Sequence, residues 1–229
     1  MDKKVVKKDW NEIKTNDTWQ IFRIMSEFVE GFEKMSKLGP AVTIFGSARS
    51  DENSEHYRMA VEIARKLAEH GYGIITGGGP GIMEAANRGA KEAGTDSIGL
   101  NIDLPFEQEA NDYIDPDKLI DFRYFFVRKV MFVKYAQAFV VMPGGFGTLD
   151  ELFEAVTLIQ TKKIHKFPVI LFDSKFWEGL LDWIKRTLLE KHHYISPEDL
   201  DIIHLTDDPD EVVRIIDKFY EKYKLRPNF

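Results

Sequence analysis

The feature that most constrains the fold is a regular alternation of short apolar runs and amphipathic helical patterns, which begins after Pro40. The β-rich runs that we predict as strands span 41–45, 73–76, 97–102, 119–126, 138–142, 168–172 and 202–205. Helical patterns lie between them, near 55–70, 82–93, 127–136, 149–163, 175–190 and 209–223. Strands separated by helices form βαβ units, so we predict an α/β fold with a mainly parallel sheet covered on both faces.

An additional helix precedes this pattern and ends at Gly39 and Pro40. Its apolar side chains recur at spacings of four and three, which places them on one stripe: Ile21, Met25, Phe28, Phe32 and Met35. The stripe either covers the core or forms a dimer face. Because no linker, repeat or low-complexity tract interrupts the chain, we predict a single domain over 1–229 with a helical extension over 1–39.

The composition excludes several classes of site. A chain of 229 residues without cysteine can bury a large core but cannot form a disulfide framework, a zinc–thiolate site or a thiol nucleophile. The net charge of −7 opposes a broad nucleic-acid-binding face, although one bound phosphate is compatible with it. The six histidines contain no H-x-x-x-H pair, so we predict no metal site.

The sequence contains neither of the two apolar patterns that mark secretion or membrane insertion. Residues 1–10 mix Lys and Asp and do not resemble a secretory signal. No apolar run approaches the roughly 18 residues that a membrane-spanning helix needs. We therefore expect a cytoplasmic protein with no membrane partner.

Glycines are concentrated in two short loops, each placed after a predicted strand and before a predicted helix. These loops contain Gly77, Gly78, Gly79 and Gly81, and then Gly144, Gly145 and Gly147. Bare backbone at a helix start lets free N–H groups and the helix dipole face an anion such as phosphate. A single loop of this kind can simply be a tight turn, but two in one sheet favour ligand binding.

The loops also narrow the choice of ligand. The dinucleotide fingerprint G-x-G-x-x-G fails at both, because the last position is Ile82 in the first loop and Asp150 in the second. Neither loop ends in the Gly-Lys-Ser/Thr of a P-loop. A mononucleotide or sugar phosphate therefore fits better than NAD or ATP hydrolysis.

Two pairs of residues near the second loop, Thr148 with Glu151 and Arg128 with Lys129, can each have either a structural or a ligand-binding role. Thr148 and Glu151 have the spacing of a capping box, but a carboxylate there could equally accept hydrogen bonds from ribose hydroxyls. Arg128 and Lys129 begin the preceding helix, where each cation costs about 0.3 to 1 kcal/mol against the helix dipole. They form either a solvated basic pair or a pair compensated by an anionic ligand or by Glu151.

The motif from Pro143 to Glu151, P-G-G-F-G-T-L-D-E, follows Arg128-Lys129 and the earlier G-G-G-P-G-I-M-E from Gly77 to Glu84. Together these residues resemble the Lonely Guy (LOG) family of cytokinin-activating phosphoribohydrolases, and more closely its longer bacterial branch. The resemblance implies a Rossmann-like three-layer sandwich that forms a homodimer or higher homo-oligomer. It also implies hydrolysis of a nucleoside 5′-monophosphate, either AMP or a cytokinin riboside 5′-monophosphate, to free base and ribose 5-phosphate without a cofactor.

The resemblance also assigns residues. The family's catalytic Arg and Glu fall on Arg128 and Glu151. The substrate-binding residues it implies are Ser47, Gly77, Gly78, Gly79, Glu107, Lys129, Gly144, Gly145, Phe146, Gly147, Thr148 and Thr157.

Three other functions are alternatives to hydrolysis of a nucleotide. A non-catalytic carrier of a nucleotide or of molybdenum cofactor is the main alternative, since such carriers share the fold. A DNA-processing protein is disfavoured by the acidic charge. The label "possible lysine decarboxylase" finds no recognisable pyridoxal phosphate constellation in the sequence.

Overall fold

The computed structural model describes residues 10–104 and 110–229, with side chains from Trp19 onward. Glu107, one of the predicted substrate-binding residues, lies outside the described residues. The strands are β1 Ala41–Phe45, β2 Gly73–Thr76, β3 Ser97–Ile102, β4 Leu119–Phe122, β5 Ala136–Val141, β6 Val169–Phe172 and β7 Ile203–Thr206. The α-helices are α1 Trp10–Met35, α2 Glu55–Glu69, α3 Ile82–Ala93, α4 Phe125–Tyr135, α5 Phe146–Gln160, α6 Ser174–Trp183 and α7 Pro209–Tyr220.

Within the described residues these strands form one parallel sheet in the order β4-β3-β2-β1-β5-β6-β7. The chain builds outward from β1 to β4 and then crosses back to place β5 on the other side of β1. Neighbouring strands β1 and β5 therefore form the topological switch point, where the loops that follow them diverge. In parallel sheets of this kind the crevice outside the carboxyl ends at the switch point is the usual place for a ligand.

Helices cover both faces of the sheet, as the predicted three-layer sandwich requires. One buried cluster packs α4, α5 and α6 on the sheet, with residues such as Met131, Leu152 and Trp177. The other packs α2, α3 and α7, with residues such as Ile63, Ala86 and Ile216. The α/β fold class and the parallel sheet are thus confirmed.

The predicted strand over 119–126 is wrong after Phe122, because α4 begins at Phe125. The apolar run at 124–127 is continuous and therefore carries neither a strand nor a helix period. In the structure Val127 is buried while Phe125 and Phe126 are half exposed, as a helix on the sheet surface requires. Strand β5 also begins at Ala136, two residues earlier than predicted, because α4 runs directly into it.

Two helices also differ from the predicted spans. Helix α5 begins at Phe146, earlier than the predicted 149. The predicted helix over 175–190 changes at Ile184 into a π-helical segment, Ile184–Lys191.

The stripe on α1 covers the core only over its second half. Met35 is buried, and Phe28 and Phe32 pack against the core cluster. Ile21 and Met25 are 56% and 55% exposed. The part of α1 around Ile21 and Met25 therefore leaves apolar surface exposed. Among the described residues, no helix combines the length and the hydropathy needed to traverse a bilayer.

Candidate functional site

Both glycine loops lie at the carboxyl edge of the sheet, and the segment after β1 joins them. The backbone N–H of Ser47 donates to the carbonyl of Pro143 at 2.9 Å, and the Ser47 carbonyl accepts from the N–H of Ile82 at 3.1 Å. Ser47 thus ties the second loop to the start of α3. This places the predicted residue Ser47 between the two loops, in a backbone role.

The first loop is shaped largely by its own turn. Gly78 and Gly81 have φ values of 76° and 68°, in the left-handed region that favours glycine. The Gly78 N–H donates to the Thr76 hydroxyl at 3.0 Å, so it is already occupied. A Cβ on Gly81 would collide with the Ser47 carbonyl. Packing and turn geometry therefore account for these two glycines without a ligand.

A buried amide network, which the sequence analysis missed, supports this loop. Asn87 accepts a hydrogen bond from Thr76 at 2.6 Å and donates to Ser97 at 2.9 Å. Asn111 donates to the Gly79 carbonyl at 3.0 Å and to Asn87 at 3.0 Å. The signal that marks Asn87 is a polar residue on the apolar stripe of α3, because such a residue must find partners when it is buried.

The second loop differs from the first, because packing does not explain two of its three glycines, Gly145 and Gly147. A Cβ added to Gly145 or Gly147 would have no described heavy atom within 4 Å, and neither residue has a positive φ. Gly145 is the N-cap of α5 and provides no side-chain hydrogen bond to the helix start. Phe146, the next residue, is 92% exposed. The start of α5 therefore offers uncovered backbone N–H groups of the kind that bind phosphate.

Of the two interpretations of Thr148 and Glu151, the structure does not form the capping box. The N-cap is Gly145, so Thr148 lies within the first turn of α5 and Glu151 in the next turn. Thr148 instead packs against Gly144, where a Cβ would collide with its hydroxyl. Gly144 is thus fixed by Thr148, and Glu151 is left without a capping role.

Arg128 reaches from α4 to the first glycine loop. Its guanidinium packs against Gly77 so closely that a Cβ on Gly77 would collide with it. Its Cζ lies 5.1 Å from the centroid of the Phe132 ring. Its buried Nε has no hydrogen-bond partner among the described residues. Burial lowers the pKa of Arg128 to about 10 even though the Glu151 charge opposes the shift, so Arg128 still carries its charge at neutral pH.

Glu151 is a buried carboxylate, 6% exposed. Its Oε2 atom has no hydrogen-bond donor among the described residues. Burial raises the pKa of Glu151 to about 7, although the charges of Lys129 and Arg128 pull it down. A carboxyl group with this pKa can both hold and accept a proton near neutral pH.

Lys129 lies in a cluster of three carboxylates on α5. Its Nζ is 2.8 Å from Asp150, 3.3 Å from Glu154 and 3.8 Å from Oε2 of Glu151. Burial alone would lower the pKa of Lys129, but the hydrogen bond to Asp150 and the nearby negative charges raise it above its ordinary value. The basic pair of Arg128 and Lys129 is therefore not a solvated pair.

The structure does not gather all the predicted residues at one point. Gly77, Arg128, Lys129 and Glu151 meet between α4, α5 and the first loop. Thr157 is exposed and lines an open groove of about 520 Å³ on the outer face of α5, together with Phe146 and Phe153. A second groove, of about 640 Å³, lies between α1 and the ends of β3 and β4, and its described lining contains none of the predicted site residues.

The fold and the site define a class of protein: a Rossmann-like α/β protein with two glycine loops at the carboxyl edge of its parallel sheet and a buried Arg–Glu arrangement beside them. A family model described as "Possible lysine decarboxylase" matches residues 83–216. A cytokinin riboside 5′-monophosphate phosphoribohydrolase of Mycobacterium tuberculosis is 30% identical over 171 residues, which cover 73% of this chain and 88% of that protein. The Arabidopsis thaliana protein named cytokinin riboside 5′-monophosphate phosphoribohydrolase LOG3 is 26% identical, over 78% of this chain and 82% of that protein. The chain belongs to the LOG family, as the sequence motifs indicated.

Solved structures agree with the fold. The structural-genomics target TM1055 superposes with a TM-score of 0.60 at 26% identity, over 79% of this chain and 99% of that chain. A molybdenum cofactor carrier protein from Chlamydomonas reinhardtii gives a TM-score of 0.57 at 24% identity, over 80% and 100% of the two chains. At that identity the carrier shows the shared fold alone.

Proposed function

We propose that this protein hydrolyses the N-glycosidic bond of a nucleoside 5′-monophosphate, either AMP or a cytokinin riboside 5′-monophosphate, to give free base and ribose 5-phosphate. The observation that carries the proposal is a pair of buried polar atoms that have no hydrogen-bond partner among the described residues, Nε of Arg128 and Oε2 of Glu151, near a helix start whose Gly145 and Gly147 carry no Cβ. Buried polar groups are normally paired, so unpaired ones beside an anion site point to a polar substrate. The names of the similar phosphoribohydrolases support the same reaction.

The phosphate would bind at the start of α5, where Gly145, Phe146 and Gly147 present backbone N–H groups. Phosphate binding there is remote from the bond that breaks, so its energy can orient the ribose against Glu151. This role explains why Gly145 and Gly147 are glycines although neither turn nor packing requires it.

Glu151 would act on the reacting carbon. As the bond between C1′ and the base breaks, positive charge develops on the ribose, and a buried carboxylate stabilises it strongly because the local dielectric is low. The same group can take a proton from the water whose oxygen bonds to C1′, since its pKa is about 7. The base leaves with the electron pair of the broken bond and takes up one proton, so one water molecule is consumed and the products are neutral base and ribose 5-phosphate. Arg128 would contact the nucleotide and balance the charge of Glu151.

The properties of Lys129 weigh against amino-acid decarboxylation through a lysine Schiff base. A Schiff-base lysine needs a neutral amine and therefore a lowered pKa. The pKa of Lys129 is raised, and its Nζ is held by Asp150 and Glu154. Lys129 is better suited to fix the position of Glu151 and to attract an anion.

A carrier of an intact nucleotide or of molybdenum cofactor is the alternative, and the fold of the Chlamydomonas carrier is compatible with it. The buried carboxylate of Glu151 favours the hydrolase, because an anionic ligand that is only carried gains nothing from a negative charge beside it. The two functions differ in outcome, since a carrier binds its ligand without changing it.

The test is a panel of ligands with and without the 5′-phosphate. Purified protein is incubated with AMP, other nucleoside monophosphates, a cytokinin riboside 5′-monophosphate and adenosine, and free base and ribose 5-phosphate are quantified. We expect cleavage of at least one monophosphate and no cleavage of adenosine. Tight calorimetric binding without any product would support the carrier and overturn the hydrolase.

We further propose a homodimer, or a higher homo-oligomer, in the cytoplasm. Exposed apolar side chains on α1 support self-association: Trp19, Ile21, Phe22, Met25 and Val29 are each more than half exposed. Surfaces of this kind commonly mark an interface. Cell fractionation would test the location.

A further inference from the structure

We infer that Glu27 and Asn228 are positioning residues that clamp helix α4 at its two ends and so hold Arg128 in place against Gly77 and near Glu151. The inference rests on the proposed function for its catalytic consequence, but the clamp itself is a matter of geometry. Both residues lie outside the stretch 83–216 that the family model matches.

The start of α4 has no cap of its own. Its N-cap residue, Tyr124, makes no side-chain capping bond, and its first turn contains no acidic residue. Glu27 of α1 instead holds the backbone that leads into the helix: its carboxylate accepts hydrogen bonds from the N–H of Arg123, which precedes the N-cap, at 3.2 Å and from the N–H of the N-cap residue Tyr124 at 3.3 Å. A negative charge at a helix start also offsets the helix dipole that Arg128 and Lys129 oppose.

The end of α4 is held by a second residue that is remote in sequence. The Asn228 side-chain amide donates to the carbonyls of Val133 at 2.6 Å and Ala136 at 2.8 Å, and its backbone N–H donates to the Lys134 carbonyl at 2.8 Å. Asn228 is only 3% exposed, so these bonds are shielded from water. Carbonyls that a helix end leaves unpaired are thus satisfied by one buried side chain.

The clamp matters because the place of Arg128 depends on the position of α4. Its guanidinium touches Gly77 at a separation that leaves no room even for a methyl group, and it stacks on Phe132 of its own helix. A shift of α4 by a fraction of a turn would move the guanidinium off Gly77 and change its distance to Glu151. Misplacement by about 1 Å at a reacting centre costs on the order of 100-fold in rate.

The experiment compares Glu27→Ala with Glu30→Ala. Glu30 lies one turn further along α1 and is more exposed, where it pairs with Lys34 at 2.9 Å. Backbone amide exchange at Arg123 and Tyr124 is followed by NMR, and kcat and KM are measured on the best monophosphate. We expect Glu27→Ala to speed exchange of the two amides about tenfold or more and to lower kcat about tenfold with KM changed less than about threefold, while Glu30→Ala leaves both unchanged.

Two further variants extend the test: a conservative replacement of Glu27 and a truncation of Asn228. Glu27→Gln keeps one acceptor oxygen, so it should restore most of kcat. Asn228→Ala should lower kcat in the same way, with Asn53→Ala, an exposed asparagine, as its control. A purely structural role would lower the melting temperature of Glu27→Ala without changing kcat per folded molecule, and that result would overturn the inference.

Chemical modification of Arg128 tests the clamp without requiring any enzymatic activity, so it separates this inference from the proposed function. The rate at which phenylglyoxal modifies Arg128, mapped by mass spectrometry, should rise in Glu27→Ala and Asn228→Ala but not in Glu30→Ala. If the wild-type protein cleaves no nucleotide, the proposed function fails while the exchange and modification rates still decide the clamp. Unchanged rates in both clamp variants would show that Arg128 does not depend on Glu27 or Asn228.

Discussion

At the scale of single residues, Glu151 is where the structure and the proposed chemistry meet. Its carboxylate is buried, Oε2 receives no hydrogen bond from the part of the chain that the structure describes, and burial raises the pKa to about 7. Such a group is costly to the fold, because its charged form is poorly solvated. Groups of this kind are concentrated at functional sites.

We predict that kcat/KM rises with pH through about 7. Ionised Glu151 is the form that stabilises positive charge on the ribose, and this form dominates only above its pKa. Initial rates at low substrate concentration between pH 5.5 and 8.5 measure the profile. A profile that is flat across this range, with the protein folded throughout, would contradict the role of Glu151.

We also predict that Glu151→Gln is more stable than the wild type at pH 8, by up to about 3 kcal/mol. The folded-state pKa of about 7 lies above the ordinary value of 4.5, so the folded protein binds this proton more tightly than the unfolded chain. The cost of ionised Glu151 is therefore complete above about pH 7 and disappears as pH falls below about 4.5. Urea unfolding at pH 8, 6 and 5 should show the gap between the two proteins closing, and a constant gap would contradict the assignment.

At the scale of elements, the start of α5 is expected to bind phosphate. Gly145→Ala adds a methyl group that meets no described atom within 4 Å, so the fold should tolerate it. The same methyl group would lie over the helix start and should raise KM about tenfold or more while the melting temperature stays unchanged. Gly179→Ala, also in open space but on α6, is the matched control. Equal KM values for the two variants would place the phosphate elsewhere.

Much of the architecture could be predicted from the sequence. The bounds of β1, β2 and β3 agree at every residue, because each strand is a short apolar run enclosed by glycine, proline or polar residues. The boundary between β4 and α4 could not be predicted, since Tyr124 to Val127 are all apolar or aromatic and show no period. Only packing against the sheet selects the helix there.

The sequence identifies most of the candidate site residues, but it does not show which of them contact one another. Glycine position and the family motif identify the loops, Arg128 and Glu151. No local pattern shows that Gly77 makes room for the guanidinium of Arg128, because the two residues are brought together by the order of the strands. Glu27 was missed for the same reason, since its partners, the N–H groups of Arg123 and Tyr124, belong to an element remote in sequence.

At the scale of the whole molecule, the acidic charge and the proposed anion site are compatible. The net charge is −7, yet the site relies on backbone N–H groups and on Arg128 and Lys129 rather than on a basic surface. Backbone groups at a helix start bind one phosphate locally without attracting a polyanion.

We predict that the protein is a dimer in solution and that the dimer depends on the exposed apolar residues of α1 between Trp19 and Val29. Light scattering should give twice the chain mass of 26.5 kDa for the wild type. Phe22→Glu should weaken the dimer, because Phe22 is 59% exposed on α1 and a charge there opposes apolar contact. Phe176→Glu, at a 47% exposed position on α6, is the control. A wild-type mass of one chain at micromolar concentration would contradict the prediction.

The central claim is that buried Glu151 drives cleavage of the glycosidic bond, and one comparison tests it most directly. The rate of base release from the best monophosphate is measured for the wild type, for Glu151→Gln and for Glu154→Gln, whose carboxylate also contacts Lys129 but is more exposed. We predict equal amounts of base and ribose 5-phosphate from the wild type, a loss of about 100-fold or more in Glu151→Gln, and less than about threefold in Glu154→Gln. Equal rates for the wild type and Glu151→Gln, or no product from any monophosphate, would contradict the claim.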